Sequence, residues 1–281
     1  KDNRLYGWDN EFGSHHFNVD DFEASKYLVS NREFLDFVNA EGYQQSQFWT
    51  DEGQRWLAYS KAEQPLFWLL EGTNYRLRTM TQEILMPWDW PVEVNYLESK
   101  AFCNWKAQIT NLPIRLPTED EWTLLRDQHQ IPDQPDWNKA PGNINLEHWA
   151  SSCPVNRFAF GEFYDLIGNV WQWSETPISG FPGFEIHPCY DDFSIPTFDT
   201  QHNLIKGGSW ISTGNEATRD ARYAFRRHFY QHAGFRYISS EQDLETTETI
   251  YETDDAVAQY CDAHYGPEKF GVKNFPGELV R

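Results

Sequence analysis

The stretch IRLPTEDEW, residues 114–122, marks the point at which the chain changes character. Thr118 carries the oxygen of an N-cap, Glu121 stands three residues on to close a capping box, and Trp122 and Leu125 begin an apolar stripe at helical spacing. A helix is predicted to open there. Two more are predicted upstream. One runs from about Asn31 to Glu41, with Ser30 and Glu33 as its capping box, Phe34, Phe37 and Val38 on one face and Gly42 as its stop. The other runs from about Tyr96 to Ile109, started by Asn95 and Glu98, with Leu97, Ala101 and Trp105 spaced as a buried stripe.

Beyond about residue 130 the helical spacing ends. Gly, Pro and Asn punctuate short β-type segments such as LIKGGSWIS (204–212) and GFRYIS (234–239). Helices first, then short strands set in long loops, predict an α+β fold with an irregular antiparallel sheet. One loop stands apart. SGFPGFEIHPCYDDFS (179–194) packs aromatics, a His, a Cys and acids around Pro and Gly with neither helical nor strand periodicity. Loops this long in a compact domain are more often functional than padding, and aromatic richness argues against disorder.

The 281 residues suffice for one large core. Aromatics make up 17%, with 13 Trp, against an ordinary hydrophobic fraction of 40%, so large flat rings must supply much of the burial. A formal charge of −20 disfavours nucleic acid and anionic membrane surfaces as partners. No apolar run approaches the roughly 20 residues of a membrane helix, and the N-terminus lacks a signal-peptide pattern. Cys103, Cys153, Cys189 and Cys261 form no CxxC pair, which suggests neither a zinc site nor a disulfide framework and points to a reducing cytoplasm. From Glu241 onward ten Asp or Glu face three Lys or Arg. Residues 1–240 are therefore expected to form one domain and 241–281 an acidic linker, in which DDAVAQYCDAHYG (254–266) has the spacing of a helix opening a next domain.

Several segments resemble, in order and rough spacing, the formylglycine-generating-enzyme (sulfatase-modifying factor) domain family: YLVSNREFLDFVNAEGY (27–43), PVEVNYLESKAFCNW (91–105), IRLPTEDEW, DLIGNVWQW (165–173), KGGSW (206–210) and AGFR (233–236). The resemblance implies a variant of the C-type-lectin fold. GFPGF (180–184), Tyr190 with Phe193, and GGSWISTGNEATRDARYAFRRHF (207–229) are similar to the sulfoxide synthases that join a cysteine sulfur to a histidine imidazole carbon, most of all to the ovothiol-pathway 5-histidylcysteine sulfoxide synthases. In those proteins this domain lies between an upstream DinB-like helical domain and a downstream methyltransferase, which YETDDAVAQYCDAHYGPEKFG (251–271) resembles at its start. Ergothioneine-pathway relatives carry a longer segment than FRRHFYQHAGFR (225–236), with groups that hold γ-glutamylcysteine, so free cysteine is the implied sulfur donor.

The resemblance implies Fe(II), held by three His of the upstream domain, with O2 as co-substrate and cysteine and histidine as substrates. It gives Tyr190 the catalytic part: a phenol that faces the reacting oxygen and supplies a proton and an electron, steering towards C–S coupling and away from thiol oxidation. A phenol with a pKa near 10 stays protonated at neutral pH. The plain alternative is a Tyr packed on its loop with the hydroxyl in water.

Phe193 matches a substrate-contacting Tyr of the ergothioneine enzymes but lacks the hydroxyl, and a packing role is equally open. Phe184 is a further wall candidate. Arg222, Arg226 and Arg227 form a locally basic run suited to substrate carboxylates, Arg226 or Arg227 above all, with ion pairing to neighbours such as Glu216 and Asp220 as the alternative. His228 and His232 have the i, i+4 spacing of helical metal ligands, but they lead into a strand-like segment, and no metal ligand is expected in this chain. His15 and His16 suit a core edge or surface. Cys189 has no partner matching the copper-binding Cys pair of formylglycine-generating enzymes, and Gln172 stands where those enzymes usually have Glu, which weighs against their structural calcium. Alone, the 281 residues are expected to be inactive. Two other readings stay open: an ergothioneine-pathway synthase, and a lectin-like binding module without catalysis.

Overall fold

The computed structural model describes residues 7–136, 139–213, 216–242, 244, 259–260 and 263–264. Five α-helices are present among them: α1 (Asn31–Asn39), α2 (Asp51–Ser60), α3 (Tyr96–Thr110), α4 (Glu119–Gln128) and α5 (Asp191–Thr197). The three predicted helices are α1, α3 and α4, with the predicted N-cap residues, but the α1 box is only half made, because the Glu33 carboxylate accepts from Lys106 and Tyr237 instead of the Ser30 backbone. Ser30 accepts from Glu33 N in α1, and full capping boxes join Asn95 to Glu98 in α3 and Thr118 to Glu121 in α4. Two helices were not foreseen. Helix α2 is capped by Thr50, whose oxygen accepts from Gly53 N, with Asp51 and Glu52 in its first turn. Helix α5 begins inside the aperiodic 179–194 stretch, runs beyond it and carries Pro196, so the helices are not confined to the first half.

The strands are short: β1 (Glu23–Ala24), β2 (Trp68–Glu71), β3 (Asn74–Arg78), β4 (Glu83–Leu85), β5 (Ile114–Arg115), β6 (Ala159–Phe160), β7 (Phe163–Tyr164), β8 (Trp171–Pro177), β9 (His202–Lys206), β10 (Tyr223–Arg226), β11 (Ala233–Gly234) and β12 (Ile238–Ser239). They make sheets ordered β1-β12-β5, β10-β9-β8-β11, β2-β3-β4 and β6-β7. All pairings are antiparallel except β11 with β8, which is parallel. The architecture is α+β, loop-rich, with irregular sheets. The segment GFRYIS, which reads as one strand, is divided: β11 ends at Gly234, Phe235 and Arg236 turn wholly inward, and β12 resumes at Ile238.

Rings build the core. Phe34 of α1 stacks on Phe102 of α3 at 5.4 Å, and Phe235 meets Phe102 edge-on at 5.3 Å. Trp173 is completely buried, and its indole N–H donates to the Val94 carbonyl at 3.0 Å. The left-handed residue after α1 is Glu41, φ 56°, not Gly42. Gly42 answers a different need: a Cβ there would lie 2.1 Å from the Phe37 ring.

Glu98, in the α3 capping box, is fully buried and accepts 2.6 Å from the Tyr43 hydroxyl. Burial raises its carboxyl from 4.5 to about 7, against the lowering by hydrogen bonds from Tyr43, Asn95 and Tyr230. A raised carboxyl favours folding at low pH, because the unfolded chain gives up this proton first as the pH climbs. Stability worth up to about 3 kcal/mol is thus lost between about pH 4.5 and 7. Glu98→Gln, compared with the parent by thermal melting across that range, should flatten this component of the decline. An unchanged slope would mean that Glu98 is ionised throughout.

Candidate active site

Helix α4 begins the site. Glu119, at its first turn, is buried and meets two cations from the other half of the chain. Arg222 grips it through Nε at 3.0 Å and Nη2 at 3.0 Å, while Lys206 Nζ on β9 donates at 3.0 Å. Burial alone would raise the Glu119 carboxyl, but Arg222 and Lys206 together outweigh it and bring it down from 4.5 to about 2. Nη1 of Arg222 then donates to two carbonyls, Asn10 at 2.6 Å and Ser179 at 2.8 Å. The guanidinium also lies 4.2 Å above the Phe181 ring. One arginine therefore ties α4, the N-terminal segment and the start of the 179–194 stretch together.

The far end of that stretch is tied by a carboxylate. Asp9, buried in a short 3-10 turn, accepts from His187 N at 3.1 Å and from Ser194 Oγ at 3.0 and 2.9 Å. Burial raises its carboxyl, against the lowering by these bonds. Beside it, the Trp8 ring stacks on Tyr190 at 5.8 Å and 22°, meets Phe193 edge-on at 5.0 Å and leans on Tyr223 of β10 at 4.9 Å. Between the segment and the stretch lies a cleft of about 500 Å³ walled by Asp9, Phe12, Phe184, Glu185, His187 and Tyr190. Tyr190 is partly exposed and precedes α5, its N–H donating to the His187 carbonyl at 2.8 Å.

Phe184 joins Tyr190 in walling the cleft and packs on Phe198 at 5.2 Å. Phe193 sits in the same apolar cluster as Ile178, Ile186 and Leu204, so packing accounts for it. The three arginines are separated by environment. Arg222 is 2% exposed and engaged inside the protein with Glu119, rather than with Glu216 or Asp220. Arg227 donates to Asn203 Oδ1 at 2.7 Å, Glu52 at 3.0 Å and the Thr200 carbonyl at 2.8 Å. Arg226 has looser contacts, 3.3 Å to Asp199 and 3.5 Å to Gln201, and its side chain is 30% exposed. On the same strand end, Asp199 Oδ1 meets His202 Nδ1 at 2.7 Å.

His228 and His232 lie between β10 and β11, not on a helix, so their spacing does not align them. His232 instead contacts Glu93 at 3.1 Å and the Trp210 ring at 4.8 Å. His15 contacts Asp120 at 3.1 Å, His16 is exposed, and Cys189 is exposed and unpaired. Among the described residues no group of three or more His, Cys, Asp or Glu could hold a metal ion. Gln172 donates to the Asp165 and Leu166 carbonyls and accepts from Arg236 at 3.3 Å. Near it two buried oxygens, Asp165 Oδ1 and Asn143 Oδ1, have no hydrogen-bond partner. The expected linker and methyltransferase start, 241–281, fall mostly outside the described residues.

Sequence reasoning missed Trp8, Asp9 and Glu119. Asp9 and Ser194 stand 185 residues apart, and Glu119 and Arg222 stand 103 apart, so no local spacing could pair them.

The chain matches the family described as Sulfatase-modifying factor enzyme 1-like domain over residues 2–241. It is 28% identical over 224 residues to hercynine oxygenase of Mycobacterium tuberculosis, covering 72% of this chain and 48% of that protein. It is 30% identical to ergothioneine biosynthesis protein 1 of Schizosaccharomyces pombe, covering 83% and 26% respectively. Mouse formylglycine-generating enzyme is 25% identical, with 72% and 60% covered. The chain thus spans about half the length, or less, of the first two.

Removing the Glu119 charge leaves Arg222 and Lys206 buried without their anion, which typically costs about 3–5 kcal/mol. Glu119→Gln should lower the urea midpoint at pH 7 accordingly. The sign with pH is opposite to that of Glu98: a depressed carboxyl stabilises above its unfolded value of 4.5 and loses that contribution as pH falls towards about 2. Acid titration of the parent should therefore show a loss of stability that Glu119→Gln lacks; identical acid profiles would contradict the triad.

Proposed function

The chain belongs to the Sulfatase-modifying factor enzyme 1-like domain family, and we propose that it is the substrate-shaping domain of an iron(II)- and O2-dependent sulfoxide synthase joining L-cysteine to L-histidine. The reaction balances as cysteine plus histidine plus O2 giving 5-histidylcysteine sulfoxide plus water. The C–H and S–H bonds are lost, one oxygen atom goes to sulfur and the other leaves as water. Iron and oxygen would supply the oxidising chemistry; the metal's ligands are assigned, from the resemblance, to an upstream helical domain of the same polypeptide.

The observation that carries this reading is Tyr190, half-buried on the wall of the cleft between Asp9, Phe184 and His187, its ring held against Trp8. In this reading the phenol holds a proton at its hydroxyl where the substrates meet, with Phe12 and Phe184 as apolar parts of the wall around it. Arg226 is assigned to a substrate carboxylate, because its present contacts are long and its side chain reaches solvent. Arg222 and Arg227 act as struts. The unpaired Cys103, Cys153 and Cys189 are compatible with a reducing cytoplasm.

An ergothioneine-type synthase is the second reading, favoured by the relatives named hercynine oxygenase and ergothioneine biosynthesis protein 1. The short 227–232 connection favours the first. It is pinned at Arg227, whose carbonyl accepts from Tyr96 N, and at His232, which contacts Glu93, leaving little chain for a second carboxylate-holding element. Supplying cysteine or γ-glutamylcysteine and identifying the sulfoxide formed separates them.

In the polypeptide that also carries the upstream domain, Tyr190→Phe should move product from sulfoxide towards cysteine sulfinate by about tenfold or more. An unchanged ratio would remove Tyr190 from the chemistry.

A further inference from the structure

We infer that Asp9 is a positioning residue: its buried carboxylate, through Ser194 Oγ and His187 N, fixes the backbone on both sides of Tyr190 and so sets where the phenol points. The inference rests on the reading of Tyr190 given above. Tyr190 stands between the two anchored positions, three residues after His187 and four before Ser194. A single carboxylate receives both: His187 N reaches Oδ2 at 3.1 Å, and Ser194 Oγ lies 3.0 and 2.9 Å from the two oxygens. Asn10 N adds a third donor at 2.7 Å.

Each bond on its own is a common loop contact. Together they set the ends of a short bracket, because the Tyr190 carbonyl accepts from Ser194 N at 2.9 Å while Tyr190 N donates to His187 O at 2.8 Å. The residue therefore has its own backbone bonded to each of the two residues that Asp9 holds. Asp9 is held in turn by its neighbours. The next carbonyl, Asn10, is gripped by Arg222, which is locked on Glu119, and the preceding ring, Trp8, stacks on Tyr190 itself. A displacement of the carboxylate is thus passed to the phenol by two routes, backbone and ring. Shifts of about 1 Å at a reacting group are enough to cost two orders of magnitude in rate. Asp9 lines the cleft but is only 8% exposed, and its two oxygens are already taken up by His187 N, Ser194 Oγ and Asn10 N, which makes it a support for Tyr190 and not a reacting group.

Two variants test this, Asp9→Asn and the milder Ser194→Ala, which removes one hydroxyl and keeps the carboxylate. In the 281-residue chain, amide exchange over 187–194 should speed up in both by about tenfold, with exchange in α1 and α3 unchanged. In the polypeptide with the upstream domain, both should shift product from sulfoxide towards sulfinate in the direction of Tyr190→Phe, with KM for cysteine and histidine within about twofold of the parent. Combined with Tyr190→Phe, neither should move the ratio further, because both act through the phenol. A general structural defect would instead lower both products together.

Unchanged amide exchange would overturn the bracket. Faster exchange with an unchanged product ratio, while Tyr190→Phe does shift it, would overturn the positioning role alone. If Tyr190→Phe leaves the ratio unchanged, the reading of Tyr190 falls and the functional part of this inference with it, whatever the exchange data show of the bracket.

Discussion

The fold is organised around a buried carboxylate. Glu119 is buried at the start of α4, and its charge is tolerable only because Arg222 and Lys206 meet it at 3.0 Å. Each cation has donors left over, and these reach the backbone elsewhere. Lys206 donates to the Ala221 carbonyl, and Arg222 to Asn10 and Ser179. A helix, a central strand, the N-terminal segment and the entry to the 179–194 stretch are thereby fixed relative to one point. A second buried pair on the same helix, Glu121 with Arg115 at 2.6 and 2.7 Å, holds α4 against β5. Ionic anchoring of this kind suits a chain with little regular structure, where ladders of backbone bonds are too short to set the geometry.

The aromatic composition plays the complementary part. Rings from α1, α3 and the loop after β11 interlock in the main core, and a separate apolar cluster of Ile178, Ile186, Phe198, Leu204 and Ala224 lies under α5. Trp8, Tyr190, Phe193 and Tyr223 form a further contact group at the cleft. The 179–194 stretch is therefore a wall with its own apolar backing, pinned at Ser179, His187 and Ser194 by buried charges. That combination is what a site needs if a phenol is to be presented in one orientation.

Local physics was legible and long-range pairing was not. Capping boxes at Asn95 and Thr118 and the Ser30 cap marked three helices to within a residue or two, because a cap is a contact between neighbours. Helix α2 escaped because its N3 position is Gly53, which cannot close a box, and α5 because Pro196 and a single aromatic face hide its period. At the site, the 179–194 loop stood out by its aperiodic, aromatic composition and the resemblance singled out Tyr190 within it; the structure puts Phe184 beside Tyr190 on the cleft wall. The three arginines read alike in sequence, whereas burial and partners divide them: Arg222 joins Glu119, Arg227 joins Asn203 and Glu52, and Arg226 keeps its exposure. Trp8 and Asp9 passed unnoticed because nothing in WDNEFG announces a partner at Tyr190 or Ser194.

In the proposed function this chain is the half of a divided site that shapes substrates and presents a phenol, with the metal held elsewhere in the polypeptide. Anaerobic titration with iron(II) tests that division most directly, performed on these 281 residues and on the same chain extended by its upstream helical domain. The division predicts stoichiometric binding by the extended protein alone, followed by oxygen uptake when cysteine and histidine are both supplied. Stoichiometric binding by the 281 residues themselves would contradict it and would return His228 and His232 to consideration.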